Sequence, residues 1–300
     1  MINFFHTFHP TPILASFGCV VIHYYGLFIM LGFLAAMAVI LVLAKHQRIK
    51  QELIIDLAFW LLIFGIVGAR LYHVFLELPF YIEQPLNIFK IWNGGLAIHG
   101  VIIAGALVVY WFSKKHRLNF WQLTTITVIG LPLAQAIGRW GNYFNQELFG
   151  WPTNLPWGIP IDQINRPWQY LNYNYFHPAF LYESIGDLII FAILIVLYLF
   201  LFKKQQSSLQ ETLPRLEKLT ATNCNMCVIS YAIMYSTLRF FMEFIRIDTT
   251  LMIFNLRFPQ LISLLIFLMA IIYLTYYFLK NWRLKFLSLK KKTDCVNIIK

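Results

Sequence analysis

The sequence predicts an all-α fold: a polytopic bundle of seven transmembrane helices, N-terminus outside and C-terminus cytoplasmic. Three observations predict it. The 300-residue chain is 59% hydrophobic and only 12% charged, against roughly 25% charged in soluble domains. Its mean hydropathy is +0.65. Its apolar residues fall in runs of about 20, the length a helix needs to cross a bilayer. Length alone would allow two soluble domains, but this composition asks for one bundle. The net charge of +11 could suggest nucleic acid. The basic residues lie in short clusters between apolar runs, not on one soluble face, so nucleic acid is excluded as a partner.

The expected spans are 24–44, 53–75, 96–112, 121–137, 180–202, 227–244 and 258–279. Residues 1–23 have no basic leader or small-residue cleavage site and are expected to remain as an outer-surface segment. The membrane domain is 24–279. It includes a polar loop, 138–179, on the periplasmic side and a cytoplasmic linker, 203–226, with a short amphipathic helix around 211–219. Residues 280–300 form a basic cytoplasmic tail, read as an orientation signal drawn to anionic inner-leaflet lipid.

Orientation follows from lysine and arginine. Lys45, Arg48 and Lys50 follow the first span, Lys114, Lys115 and Arg117 the third. Lys203, Lys204, Arg215 and Lys218 follow the fifth, and Lys280 through Lys300 the seventh. That side is cytoplasmic by the positive-inside rule. The remaining basic residues are Arg70, Lys90, Arg139, Arg166, Arg239, Arg246 and Arg257. Phosphate recognition favours arginine, whose planar guanidinium forks onto two oxygens.

The polar residues converge in depth. Arg70 ends the second span on the outside, and His99 opens the third there. Arg139 and Asn142 follow the fourth; Glu183 and Asp187 open the fifth. Arg239, Glu243 and Arg246 lie in the outer half of the sixth, spaced to share one helical face. An ion path would scatter charges through the membrane. These gather at the height of a phospholipid headgroup. Between them, Gly138-Arg139-Trp140-Gly141-Asn142-Tyr143-Phe144-Asn145-Gln146-Glu147-Leu148-Phe149-Gly150 joins charge, amide and glycine inside an apolar chain. Gly138, Gly141 and Gly150 would permit non-helical turns and a close approach to phosphate.

That segment resembles the signature of the bacterial phosphatidylglycerol–prolipoprotein diacylglyceryl transferase family: glycine-arginine-x-glycine-asparagine, then asparagine and glutamate. Further matches are Tyr24-Tyr25-Gly26, Gly68-Ala69-Arg70-Leu71, Gly94-Gly95-Leu96-Ala97-Ile98-His99-Gly100, His177-Pro178-Ala179-Phe180-Leu181-Tyr182-Glu183 and Arg239 through Arg246. Together they cover roughly residues 20 to 265. Two positions depart: Val101 stands for a second glycine, and Ala179-Phe180 for a polar pair.

The resemblance implies a multi-pass enzyme of the bacterial cytoplasmic (inner) membrane, its active site toward the outer leaflet. It implies transfer of the diacylglyceryl group of phosphatidylglycerol to the lipobox cysteine of a preprolipoprotein signal peptide. A thioether forms and glycerol phosphate leaves. The implied catalytic residues are His99, Arg139 and Arg239. The implied substrate-binding residues are Tyr25, Arg70, Arg139, Asn142, Glu147, Gly150, Glu243 and Arg246. These residue types suit the reaction. A thiol, with a pKa of about 8.5, needs only a modest base, and His99 either removes its proton or positions phosphate. Fixed arginines stabilise charge on the departing phosphate, with no metal or cofactor required.

Several residues carry a second reading. Arg70 can be a snorkelling interface anchor and Tyr25 a belt aromatic. Arg257 and Lys90 read as solvated loop charges. His6, His9 and His177 lack metal-ligand spacing, and His177 reads as a cap for the fifth span. Gly65, Gly68, Gly94, Gly95 and Gly100 can simply let helices approach. The cysteines are Cys19, Cys224, Cys227 and Cys295; Cys224-Asn225-Met226-Cys227 has the redox or zinc form, but it lies at the cytoplasmic end of a span, without a second ligand pair. A structural membrane subunit is one rival, which gives no reason for the glycine-bounded polar segment; a seven-helix transporter or channel is the main one. It predicts midplane substrate groups and an internal repeat, and the sequence has neither.

Overall fold

The computed structural model describes residues 2–18, 20–206 and 213–298. Cys19 and the first residues of the helix expected around 211–219 lie outside the described residues, as do the side chains of the tail from position 281. The chain is mostly helical. Its helices are α1 (Ile2–Thr7), α2 (Tyr24–His46), α3 (Gln51–Leu76), α4 (Leu78–Glu83), α5 (Ile98–Lys115), α6 (Phe120–Phe144), α7 (Ala179–Gln206), α8 (Leu213–Met242) and α9 (Phe258–Ile298). Among the described residues, three two-stranded antiparallel sheets accompany them: β1 (Ile13–Phe17) with β2 (Val20–His23), β3 (Ile159–Pro160) with β4 (Tyr175–Phe176), and β5 (Met252–Ile253) with β6 (Leu256–Arg257).

Among the described residues, five helices are long and apolar enough to cross a membrane: Tyr24–His46, Gln51–Leu76, Phe120–Phe144, Ala179–Phe202 and Phe258–Lys280. The third and sixth expected spans are the helices α5 and α8. α5 has 18 residues, about 27 Å at the α-helical rise. α8 opens on the polar stretch Leu213–Asn225, part of the expected linker. That stretch holds good helix formers and no glycine, and its proline stands at the second helical position, where it is tolerated.

The chain divides into two compact units. One comprises Met1–Phe33, Pro132–Leu197 and Met226–Lys300; the other comprises Leu34–Leu131 and Tyr198–Asn225. In the second unit α3 packs tightly on α5. A Cβ on Gly68 would come 2.7 Å from the Gly100 carbonyl, so small residues set that approach. Thr125 Oγ1 donates to the Cys224 carbonyl at 3.1 Å. Cys224 is buried here, and Cys227 is buried in the first unit.

In the first unit, the segment after α6 folds over an apolar cluster of Tyr143, Phe149, Ile159, Ile161, Phe176 and Phe180, with Phe5 and Trp140 against it. Gln146 pins this layer. Its amide donates to the Pro10 carbonyl at 2.8 Å and to Asp162 Oδ2 at 2.7 Å, and its oxygen accepts from the Asp162 N–H at 2.6 Å. Three segments distant in sequence are thus fixed through one buried amide, which leaves few polar atoms unpaired.

Candidate active site

The ionic centre of the first unit is Glu183, in the second turn of α7. Its side chain is 5% exposed, and three arginines meet it. Arg139 of α6 brings Nε to 2.7 Å from Oε2. Arg239 of α8 donates to Oε1 at 3.1 Å, and Arg246, beyond α8, donates to the same oxygen at 3.3 Å. A second carboxylate, Glu243, is wholly buried and divides its oxygens. Oε1 lies 2.5 Å from Arg239 Nη2, and Oε2 lies 3.0 Å from Arg257 Nη1. Asp248 accepts from Arg246 Nε at 2.8 Å. Burial opposes the Asp248 charge. The Arg246 hydrogen bond and the charges of Arg246 and Arg257 outweigh it and hold this carboxyl below its ordinary value.

Arg239, Glu243 and Arg246 converge by a different path from the one their spacing predicts. α8 ends at Met242, and residues 243–245 turn. The Arg246 N–H still bonds back to the Met242 carbonyl at 3.2 Å. The turn forms because the next residues join another segment: Arg246 pairs with Gly150 across an antiparallel bridge, and the Trp151 N–H donates to the Ile245 carbonyl at 3.0 Å. Gly150 is required there, since a Cβ would lie 2.7 Å from Ile245 and 2.8 Å from His177. His177 joins the same strand-like array and sets its ring 3.1 Å from the Tyr182 hydroxyl. Burial lowers its pKa.

Four guanidinium groups (Arg139, Arg239, Arg246, Arg257) face four carboxyl groups (Glu183, Asp187, Glu243, Asp248). The set is electrically balanced if all are charged. Asp187 is 1% exposed, and neither of its oxygens has a hydrogen-bond partner among the described residues. Exposure separates the arginines. Arg139 and Arg239 side chains are 18% and 20% exposed, Arg246 only 5%. Arg246, Asp248 and Arg257 also border a cavity of about 410 Å³ with Trp151, Tyr170 and Thr250.

One helical turn beyond Arg139, Asn142 donates from Nδ2 to Glu147 Oε1 at 2.8 Å, and the Glu147 N–H returns to the Asn142 carbonyl at 3.0 Å. Gly138 and Gly141 lie within α6, so the expected non-helical turn at these positions does not occur. α6 continues to Phe144, and the chain then turns through left-handed Gln146 (φ 52°) and Leu148 (φ 55°). At Gly141 the missing Cβ admits the Tyr25 ring, 2.8 Å from where it would stand.

Arg70 and His99 belong to the other unit. Arg70 is buried and gives its guanidinium to backbone carbonyls: Ile88 at 2.9 Å, Gly94 at 2.6 Å, Gly95 at 3.0 Å, and Asn87 and Lys90 besides. The loop closes on it through Gly94 and Gly95, both at positive φ (85° and 75°). A Cβ at Gly95 would stand 2.6 Å from Arg70 Nη1. These glycines therefore serve a loop rather than a helix contact. His99 is exposed in the first turn of α5, its ring 5.6 Å from that of Tyr72.

Residues 12–276 match the family described as prolipoprotein diacylglyceryl transferase. The chain belongs to this family. Among its relatives is the phosphatidylglycerol–prolipoprotein diacylglyceryl transferase of Nostoc sp., 42% identical over 255 residues, 85% of each chain. The protein of the same name from Synechocystis sp. is 40% identical over 261 residues, 87% of each chain. That of Synechococcus elongatus is 40% identical over 257 residues, 85% of this chain and 83% of its own.

Within this member of the diacylglyceryl transferase family, two ionic partners escape a reading by motif. Glu183 stands in the sequence as an opening charge of the fifth span and the end of a family-matching segment, and neither reading makes it the common partner of three arginines. Arg257 reads as a solvated charge, yet its side chain is 13% exposed and paired. Local sequence carries no signal for it, because its partners lie up to fourteen residues back.

Proposed function

We propose that this chain transfers the diacylglyceryl group of phosphatidylglycerol to the thiol of the lipobox cysteine of a preprolipoprotein. The observation that carries the reading is the meeting of Arg139, Arg239 and Arg246 on the single buried carboxylate of Glu183. The names of the relatives supply both substrates.

In the reaction, sulfur attacks the glycerol carbon that bears the phosphate. The carbon–oxygen bond breaks and its electron pair stays on the phosphate oxygen. Glycerol phosphate leaves, and the thiol proton passes to a base. Charge on phosphorus oxygens rises from one toward about two, since the second pKa of a phosphate monoester is about 6. Arginines held in advance stabilise that added charge without reorganising. Glu183 holds them, and in the absence of substrate compensates them. We assign Arg139 and Arg239 to the phosphate, because they keep exposed edges. Arg246 supports them from within. Asn142 and Glu147 act as one hydrogen-bonded unit beside Arg139, orienting the headgroup, with Tyr25 packed against the same turn of α6 and Gly150 fixing Arg246. Glu243 steadies Arg239. His99 supplies the base. Arg70 shapes the loop that leads into His99.

The same reading takes α5 and α8 as two further spans, seven in all, with 1–23 and the 138–179 loop on the outer face and the basic tail inside. Lys and Arg asymmetry supports it. The site then lies toward the outer leaflet of the bacterial inner membrane. The test mixes the purified chain with phosphatidylglycerol and a lipobox peptide. Mass gain of one diacylglyceryl group on the cysteine, abolished in Arg139→Ala, is the expected result. No mass gain, or solute flux in its place, would sink the reading.

A further inference from the structure

We propose that Arg257 is a positioning residue for this reaction: it holds one oxygen of the buried Glu243 carboxylate and so fixes the other against Arg239. The proposal rests on the assignment of Arg239 to the substrate phosphate.

Arg257 stands on a rigid frame. It pairs with Met252 in the β5–β6 hairpin, its N–H donates to Gln260 Oε1 at 2.9 Å, and α9 begins at the next residue. From there its guanidinium reaches back fourteen residues. Nε donates to Thr250 Oγ1 at 2.9 Å, and Nη1 to the carbonyls of Glu243 and Arg246 at 2.9 and 2.8 Å. Nη2 donates to the Asp248 carbonyl. Loop closure accounts for these contacts. It leaves unexplained the pairing of Nη1 with Glu243 Oε2 at 3.0 Å. That contact completes a line of alternating charge: Arg257, Glu243, Arg239, Glu183, Arg139. Glu243 has no exposure to water, so each of its oxygens depends on an arginine. Remove Arg257 and the whole carboxylate falls to Arg239, drawing that guanidinium away from substrate. The N–H groups of Arg257 serve the loop, while its delocalised charge stands 3.0 Å from the Glu243 carboxylate as an ion pair; a lysine ammonium, a point charge with three donors, matches only part of the set.

The full chain, assayed with phosphatidylglycerol and a lipobox peptide, tests this through Arg257→Gln, Arg257→Lys, Glu243→Gln and the double variant R257Q/E243Q. R257Q is expected to lower kcat about tenfold or more, the scale of weakening a charge stabiliser, with less change in KM for the lipid. R257K recovers part of the loss. The double variant is no slower than E243Q alone, because the two residues act as one unit. Multiplying losses in the double variant, or R257K no better than R257Q, would overturn the proposal. Should R257Q fail to fold, R257K and E243Q form the cycle under the same criterion. Arg239→Ala is run alongside. Near-normal turnover in that variant rejects the site itself, whereas a dead Arg239→Ala with independent Arg257 and Glu243 effects rejects only the relay.

Discussion

Two groups of arginine, one in each compact unit, meet opposite kinds of partner. Arg70 is enclosed by carbonyls of its own loop. Arg139, Arg239 and Arg246 are paired with carboxylates. A carbonyl is neutral, fixed in the backbone and cannot leave, so Arg70 orders a loop and has little left for a ligand. A carboxylate is a charge, and an incoming phosphate bears charge of the same sign. The second group is therefore suited to share its arginines with a substrate anion. Residue type is the same in both; the partner decides the role.

The contrast is broken most directly by truncation. Arg139→Ala and Arg239→Ala should each lower turnover by about a hundredfold, the scale of losing one preorganised charge stabiliser, measured as mass gain of the peptide. Arg70→Ala should cost less, with KM for phosphatidylglycerol unchanged and faster amide hydrogen exchange across residues 87–95. A large KM change on that substitution would return Arg70 to headgroup binding and dissolve the comparison.

His99→Ala should lower turnover by roughly ten- to a hundredfold. Its rate should climb as pH approaches about 8.5, where the peptide thiol ionises unaided. A variant whose rate ignores pH would remove His99 from the proton transfer.

A smaller effect concerns stability. The Asp248 carboxyl titrates below its ordinary value in the folded chain. Its contribution is present above the unfolded pKa of about 3.9 and is lost as pH falls through the lower folded value. Asp248→Asn should flatten that acid limb of the thermal midpoint. An unchanged limb would show that Arg246 and Arg257 do not depend on it.

The smallest effect is expected at Cys227→Ser, with turnover near that of the parent chain. Inactivity would reopen a role for the Cys224–Cys227 pair.

Much of the bundle was legible because helix periodicity and apolar length are local properties. α2, α3, α7 and the start of α9 begin within two residues of their expected positions. The ends were less legible. α6 runs through Arg139 and Asn142 because nothing local stops it; of the glycines that promised a turn, Gly141 is filled by the Tyr25 ring and Gly138 faces open space. α8 ends at Met242 although its charge spacing continues, because the next residues bond to a segment nearly a hundred positions earlier. The arginines and Glu243 could be named in advance. Glu183 as their common partner could not, since ion pairing between helices depends on rotation about each axis.

By itself, the amino-acid order determined which segments are helical and membrane-compatible, which chemistry they carry, and that arginine rather than lysine stands among the apolar helices. Only the tertiary structure decided who pairs with whom. It assigned Arg70 to a loop and Arg257 to Glu243, and gathered three guanidinium groups on Glu183. The reason is distance: a helix propensity acts over a few residues, whereas a buried charge is satisfied by whichever opposite charge the packed chain brings within about 3 Å.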